Sequence, residues 1–465
     1  MIRRFFSVHT LIKPPLIRGE LPDSRSAYSA AFKIAAPAVS EMVLMSLVGM
    51  IDTVMVGGLG AYAIAAVGLT NQPRFLFMAL FFAMNVGVTA VVSRRKGEGN
   101  RSGANVCLFQ SILITGAMSV AVGILAVALS GQMLLLAGAK DDAILPATQY
   151  FQIVSSFMPV TALTMAVNAA QRGVGNTSIA FRSSVSANLV NMTMNYLLIE
   201  GRFGFPRLEV RGAAIATVIG NCVGLLIALL SLIPKDSYLN FRLFGKLSPD
   251  IPTITSISRI GGNAVVEQIF LRVGFMLYAR VIADLGTSAF AAHQISMQML
   301  GLTFTIGDGL AVACSSLVGQ NLGKKRPDLS IIYGKIGQRL ALCASAVMFS
   351  VAILSRYAFA GMFTDDPALI EVCAGILIIM AVIQPFQTSQ VVMAGSLRGA
   401  GDTRFVAITM LFTVAIMRPL CGYLFAVTFG WGLAGAWYAI LVDQILRLYL
   451  LQKRFGGGKW IGINL

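Results

Sequence analysis

Runs of twenty or more residues with almost no charged side chain recur along the whole chain. Twelve are read, at 33–57, 61–92, 104–130, 143–171, 179–200, 211–233, 253–283, 287–319, 331–355, 367–397, 405–428 and 432–452. They lack the apolar/polar alternation of barrel strands. In hydrocarbon, backbone N–H and C=O groups can bond only to one another, so such runs cross a membrane as α-helices. Roughly 20 residues at 1.5 Å each span about 30 Å of hydrocarbon. Several runs are longer, which predicts tilt or bending. The composition agrees: 56% of residues are hydrophobic and 12% charged, against about a quarter charged in soluble domains. The expected fold class is an all-α polytopic membrane protein.

The formal net charge is +16, but the basic residues are sorted by loop. With both termini on one side, that side holds 27 of the Lys and Arg residues and the opposite loops hold 5: Lys140, Arg202, Arg207, Arg211 and Arg356. Arg74, Arg272, Arg280 and Arg418 fall inside spans. This asymmetry is the positive-inside pattern. It predicts an inner (plasma) membrane protein with cytoplasmic termini and argues against nucleic acid as the partner of a basic chain. The six cysteines are scattered singly in apolar segments, and His9 and His293 are too few for a metal cage, so no metal centre or cofactor is expected. The first residues, MIRRFFSVHTLIKPPLIRGELPDSRS, lack a long apolar core and read as a basic cytoplasmic leader.

The chain also repeats. LGAYAIAA (59–66) matches LGTSAFAA (285–292), RGVGNT (172–177) matches RGAGDT (398–403), and Glu41 matches Glu267, all at an offset of 226 residues. A constant offset over separated segments marks an internal duplication. Six spans per copy return the chain to its starting side, so the copies run parallel, related by an axis along the membrane normal. The expected organisation is a leader (1–30), an N-terminal six-helix lobe (31–234), a cytoplasmic linker (235–252), a C-terminal six-helix lobe (253–455) and a tail (456–465). Parallel repeats of this kind build secondary transporters, with a cleft between lobes and alternating access by rocking.

Between Lys33 and Arg74 the only charged side chains are Glu41 and Asp52. A carboxylate inside a span costs a few kcal/mol and normally faces protein or a water-filled cavity. A carboxyl removed from water holds its proton more tightly, so Asp52 is a candidate proton carrier; the competing reading is a solvated acid near the outer helix end. Asn191 and Asn195 lie one helical turn apart on one face. They could fix a carboxylate, offer oxygens to a hard cation such as Na⁺ at Asp52 and Asn191, or simply join spans by hydrogen bonds. Glu41 and Glu267 are repeat equivalents, read either as cleft acids or as hydrogen-bonded structural acids. Pro37, an in-span proline, permits a bend. Asp443 and Arg447 are spaced to pair, Arg418-Pro419 reads as structural, and Asp308 is a lone acid. The repeat partner of Asp52 is Tyr278, which concentrates ion coupling in the N-terminal half.

IDTVMVGGLG followed by AIAAVG, the paired RGVGNT and RGAGDT, and AAHQ at 291–294 resemble the multidrug and toxic compound extrusion (MATE) family over nearly all of the chain from about residue 30. The resemblance implies twelve helices in two six-helix lobes. It also implies export of organic cations or other small amphipathic compounds by antiport with H⁺, less readily Na⁺, in a monomer that is not an enzyme. Asp52 matches the family's first-helix coupling aspartate, Asn191 and Asn195 its fifth-helix site, Thr217 a sixth-helix site hydroxyl, and Pro37 a proline linked to bending of the first helix. The archaeal members carry an acid where this chain has Asn195. The acids that the NorM branch carries in its seventh and tenth helices fall at or near Leu271 and at Gln387 here, which puts the C-terminal Na⁺ site of that branch in doubt. The same superfamily includes lipid-linked oligosaccharide and lipid flippases, the alternative reading.

Overall fold

The structure is a computed structural model and describes residues 5–57, 59, 61–137, 141–244 and 248–463. Arg3, Arg4, Gly60, Lys140 and Lys246 of the sequence reading lie outside the described residues. Twelve long helical segments follow in order: α1 (Ser24–Gly57), α2 (Ala61–Gly97), α3 (Arg101–Ala128), α4 in two pieces (Asp141–Ser156 and Met158–Gly173), α5 (Thr177–Leu198), α6 (Glu209–Leu230), α7 (Ile251–Ala283), α8 (Thr287–Gly323), α9 (Pro327–Gly361), α10 (Pro367–Gly399), α11 (Thr403–Thr428) and α12 (Gly432–Gly456). The expectation of an all-α chain built from twelve long helical segments is borne out.

Two helices depart from a simple rod, and prolines sit at both departures. α4 bends by 48° between its pieces. Pro159 lies at the start of the second piece, where its missing N–H breaks the preceding hydrogen-bond ladder and its fixed φ starts a new helix. In α11, π-helical turns at Leu411–Met417 and Leu424–Thr428 flank the short α-helical piece Arg418–Tyr423, which carries Pro419 near its start. Among the described residues, nine helices are long and apolar enough to cross a membrane, or ten with the bent α4 pair. α5 and α7, which are not among these, both carry polar and charged side chains. α5 carries Arg182, Asn188, Asn191 and Asn195, and α7 carries Arg259, Glu267, Arg272 and Arg280.

The chain divides into two compact units, residues 43–261 and residues 1–42 with 262–465. The division cuts α1 after Met42 and α7 after Gly261. In the 43–261 unit, Val56, Ala63, Tyr150, Val154, Ile199, Val210, Ala213 and Ala214 form one buried cluster. The segment after α6 folds back on α3: Arg101 Nε donates to the Tyr238 carbonyl at 3.1 Å, and the Asn240 N–H donates to Asn105 Oδ1 at 2.7 Å.

In the other unit, α8, α10 and α12 carry most of the core, with Trp437 wholly buried among Met380, Ile383 and Ile440. The first half of α1 packs here. A Cβ added at Gly309 of α8 would lie 2.6 Å from the Val39 Cα, a spacing only glycine allows. The leader docks too, with Val8, Leu11 and Ile12 buried against Ala27, Ala31, Leu317, Ile332 and Ile336. After α12, Trp460 stacks on Phe455 at 4.8 Å and donates its Nε1–H to the Phe455 carbonyl at 2.7 Å.

Candidate functional site

Within the 43–261 unit, α1, α5 and α6 converge on one carboxylate. The approach of α5 to α6 is set by glycines. A Cβ at Gly220 would lie 2.5 Å from the Ala187 carbonyl oxygen and 3.0 Å from the Asn191 Cβ, and one at Gly212 would lie 2.6 Å from the Leu198 carbonyl oxygen. Small residues let helices in lipid pack backbone to backbone. The polar side chains flanking the glycines are thereby held against one another. Asn191 and Asn195 are buried and Asp52 is half-buried.

The contacts form a chain. Asn195 Nδ2 donates to Asp52 Oδ1 at 3.0 Å. The Asn191 amide has two settings, of which the first satisfies both of its ends and the second turns its oxygen toward the Asp52 carboxylate. In one, its Nδ2 donates to Asp52 Oδ1 at 2.9 Å and to Oδ2 at 3.2 Å, while its oxygen accepts from the Thr217 backbone N–H at 3.1 Å. In the other, its Nδ2 meets Thr217 Oγ1 at 3.3 Å and its oxygen accepts from Asn195 Nδ2 at 3.3 Å. Thr217 Oγ1 also donates to the Ala213 carbonyl at 2.9 Å. An ionised carboxylate only accepts hydrogen bonds, so it selects the first setting. Asn195 Oδ1 is buried and has no hydrogen-bond partner among the described residues. The structure thus brings together Asp52, Asn191, Asn195 and Thr217, four residues scattered over 166 positions of sequence.

The equivalent place in the other unit is built differently. Tyr278, the repeat partner of Asp52, is buried and donates its hydroxyl to the Ala436 carbonyl at 2.7 Å. Arg418 lies over the Phe275 and Tyr278 rings, 5.2 and 5.9 Å from their centroids. Its Nε donates to Asp443 Oδ2 at 3.0 Å, and Arg447 Nη2 donates to both Asp443 oxygens at 2.6 Å. Arg447 Nε reaches Thr413 Oγ1 at 3.2 Å. All three charged groups of this triad are buried. Of the two repeat-related glutamates, Glu267 is 1% exposed and paired with Arg398 of α10. Glu41, also 1% exposed, belongs to the unit that holds the first half of α1. Pro37 lies inside α1, which continues through it as one helix, and Asp308 of α8 is half-buried.

Sequence reasoning paired Asp443 with Arg447 but missed Arg418 as the second partner, and missed Arg398 as the partner of Glu267. One signal was available. An arginine inside a span needs a counter-charge, and Asp443 is an acid one span away from Arg418.

Comparison with known proteins shows what this architecture is similar to. The MatE family model matches the chain twice, at residues 37–197 and 264–424. "Probable multidrug resistance protein NorM" of Thermotoga maritima is 28% identical over 457 residues, 97% of this chain and 96% of that protein. "Multidrug resistance protein PmpM" of Pseudomonas aeruginosa is 29% identical over 90% of this chain and 89% of its own length. Among solved structures, one described as the outward-facing conformation of a multidrug resistance MATE family transporter of the MOP superfamily superposes with a TM-score of 0.86 at 21% identity, covering 95% of this chain and 98% of that one.

Proposed function

Because the chain belongs to the MatE family, whose members are transporters and not enzymes, we propose that it is a secondary active exporter of organic cations or other small amphipathic compounds, driven by inward H⁺. The observation that carries this reading is the Asp52 cluster: an intramembrane acid held by two asparagines and a threonine of neighbouring helices. The names of the relatives support the substrate class, since they are multidrug resistance proteins. The basic loops support an inner-membrane location with cytoplasmic termini. The working form is a monomer, and no cofactor is required beyond the coupling ion.

The donors around Asp52 favour a proton over Na⁺. Amide nitrogens face the carboxylate in the ionised state, whereas a metal ion would need oxygens turned toward it. In the proposed cycle, ionised Asp52 goes with bound cationic substrate. Protonation turns one of the two carboxylate oxygens from an acceptor into a donor, which weakens the hold on the Asn191 nitrogen and frees the Asn191 amide to turn to Thr217 and Asn195. The protonated carboxyl gains a hydroxyl that the buried, unpartnered Asn195 Oδ1 can accept. The change sits on α1, which passes from one unit to the other after Met42, with Pro37 as the point where it can bend. Coupling requires proton and substrate to favour different states of the protein.

A lipid or lipid-linked oligosaccharide flippase would need intramembrane cations for an anionic headgroup. Of the four intramembrane arginines, two are held by acids: Arg418 is bound to Asp443, and Arg280 pairs with Asp284 at 3.3 Å. The test is uptake of a fluorescent organic cation into proteoliposomes under separate H⁺ and Na⁺ gradients. Uptake driven by H⁺ alone supports this reading. Uptake driven only by Na⁺ overturns the choice of ion, and no uptake under either overturns the exporter.

A further inference from the structure

The docked leader builds a second polar site, outside the Asp52 cluster. Lys335 and Arg339 are four residues apart on α9 and therefore share a face. Lys335 Nζ donates to the Leu11 carbonyl at 2.6 Å. Arg339 Nη2 donates to Thr10 Oγ1 at 3.0 Å, and its Nη1 reaches the Ser7 carbonyl and the Tyr28 hydroxyl, both at 3.3 Å. Lys13, two residues beyond Leu11, is exposed, and its charge and that of Arg339 both bear on Lys335. Among the described residues, the hydrogen-bond partners of Lys335 and Arg339 are neutral oxygens, and no carboxylate pairs with any of the three cations. The nearby acid Asp328 is already engaged, by Arg326 at 2.8 Å and by the Arg18 N–H at 3.1 Å.

The depth of this cluster follows from α9. Arg339 and Arg356 bracket a stretch without charge, 340–355, which is about 25 Å of helix. That is close to the thickness of the hydrocarbon core, so Arg339 lies at its edge, where headgroup phosphates sit. The leader adds exposed apolar side chains at the same place: Phe5 (40%), Leu16 (46%) and Ile17 (38%). Cations without counter-charges beside exposed apolar groups, at the membrane boundary, match an anionic phospholipid: phosphate to the cations, acyl chain to the apolar groups.

We propose that Lys13, Lys335 and Arg339 form a binding site for the phosphate headgroup of an anionic phospholipid, assembled when the leader docks on α9. The site does not depend on the identity of the exported substrate or of the coupling ion.

The test is native mass spectrometry of the full chain in detergent, loaded with phosphatidylglycerol or with phosphatidylcholine. The expected result is selective retention of phosphatidylglycerol. It should fall about fivefold in Lys13→Gln, by the usual contribution of one interfacial cation, and disappear in the Lys335→Gln/Arg339→Gln double variant. Among the described residues the Lys13 side chain makes no hydrogen bond, and its carbonyl, which accepts from the Leu16 N–H at 3.0 Å, is unchanged by Lys13→Gln, so that variant without lipid should melt as the unaltered protein does. Millimolar inorganic phosphate should not displace the lipid. Equal retention of the two lipids, wild-type retention by Lys13→Gln, or displacement by free phosphate would each overturn the proposal, the last by making the site one for a soluble anion.

Discussion

Asp443→Asn tests how the second unit holds its charges. The Asp443 carboxylate accepts from Arg418 Nε at 3.0 Å and from Arg447 Nη2 at 2.6 Å to each oxygen, with all three residues at most 4% exposed. Neutralising it leaves two guanidinium groups buried without their counter-charge and facing each other. Breaking one buried pair costs about 3–5 kcal/mol, and here a single substitution removes the partner of two cations. At roughly 2–4 °C per kcal/mol for a unit of this size, melting should fall by roughly 6–20 °C. The assay is thermal unfolding of purified protein in detergent, followed by tryptophan fluorescence. A triple variant, Arg418→Met/Asp443→Leu/Arg447→Met, separates lost charge balance from lost shape. Replacing a whole buried ion cluster by apolar groups of similar size is often neutral or stabilising, so this variant should recover most of the lost melting temperature and keep transporting. A melting temperature for Asp443→Asn within 2 °C of wild type, on the same scale, would refute the reasoning. A folded but transport-dead triple variant would show instead that the triad acts in transport.

Two further outcomes are expected. Gly220→Leu should abolish transport and lower the melting temperature, because even a Cβ there meets the Ala187 carbonyl oxygen at 2.5 Å; Gly116→Ala, whose Cβ would have ordinary room at 3.7 Å from Leu163 Cδ2, should leave uptake and melting unchanged. Asn195→Leu removes the donor at 3.0 Å from Asp52 and the unpartnered acceptor beside it. Uptake driven by a pH gradient should then drop by at least tenfold, the scale of one hydrogen bond to a charged group, with a folded protein by size exclusion, and unaltered uptake would remove Asn195 from the site.

The spans and the duplication were legible in the sequence because both leave local or periodic marks: an apolar run is read from one segment, and an offset of 226 residues from two. The family model matching twice carries the same duplication. The break in α4 was not read, although Pro159 marks it, since a proline inside a span is also compatible with an unbroken helix. Asp52 was legible because a lone carboxylate in an apolar run is expensive, and Asn191 and Asn195 because one turn of helix separates them. Glu267 and Arg398 lie 131 residues apart, and nothing local links them. The docking of the leader on α9 was invisible for a related reason. Val8, Leu11 and Ile12 form no long apolar run, and their burial depends on a surface supplied by residues 317–336.

The central claim is that the charge of Asp52 couples ion to substrate, and the most direct measurement compares wild type with Asp52→Asn in proteoliposomes. Asparagine keeps the size of the side chain and cannot ionise. Uptake of a fluorescent organic cation driven by an imposed pH gradient should be present in wild type and absent in the variant, with the two proteins melting alike in detergent. Full pH-driven uptake by Asp52→Asn would contradict the account.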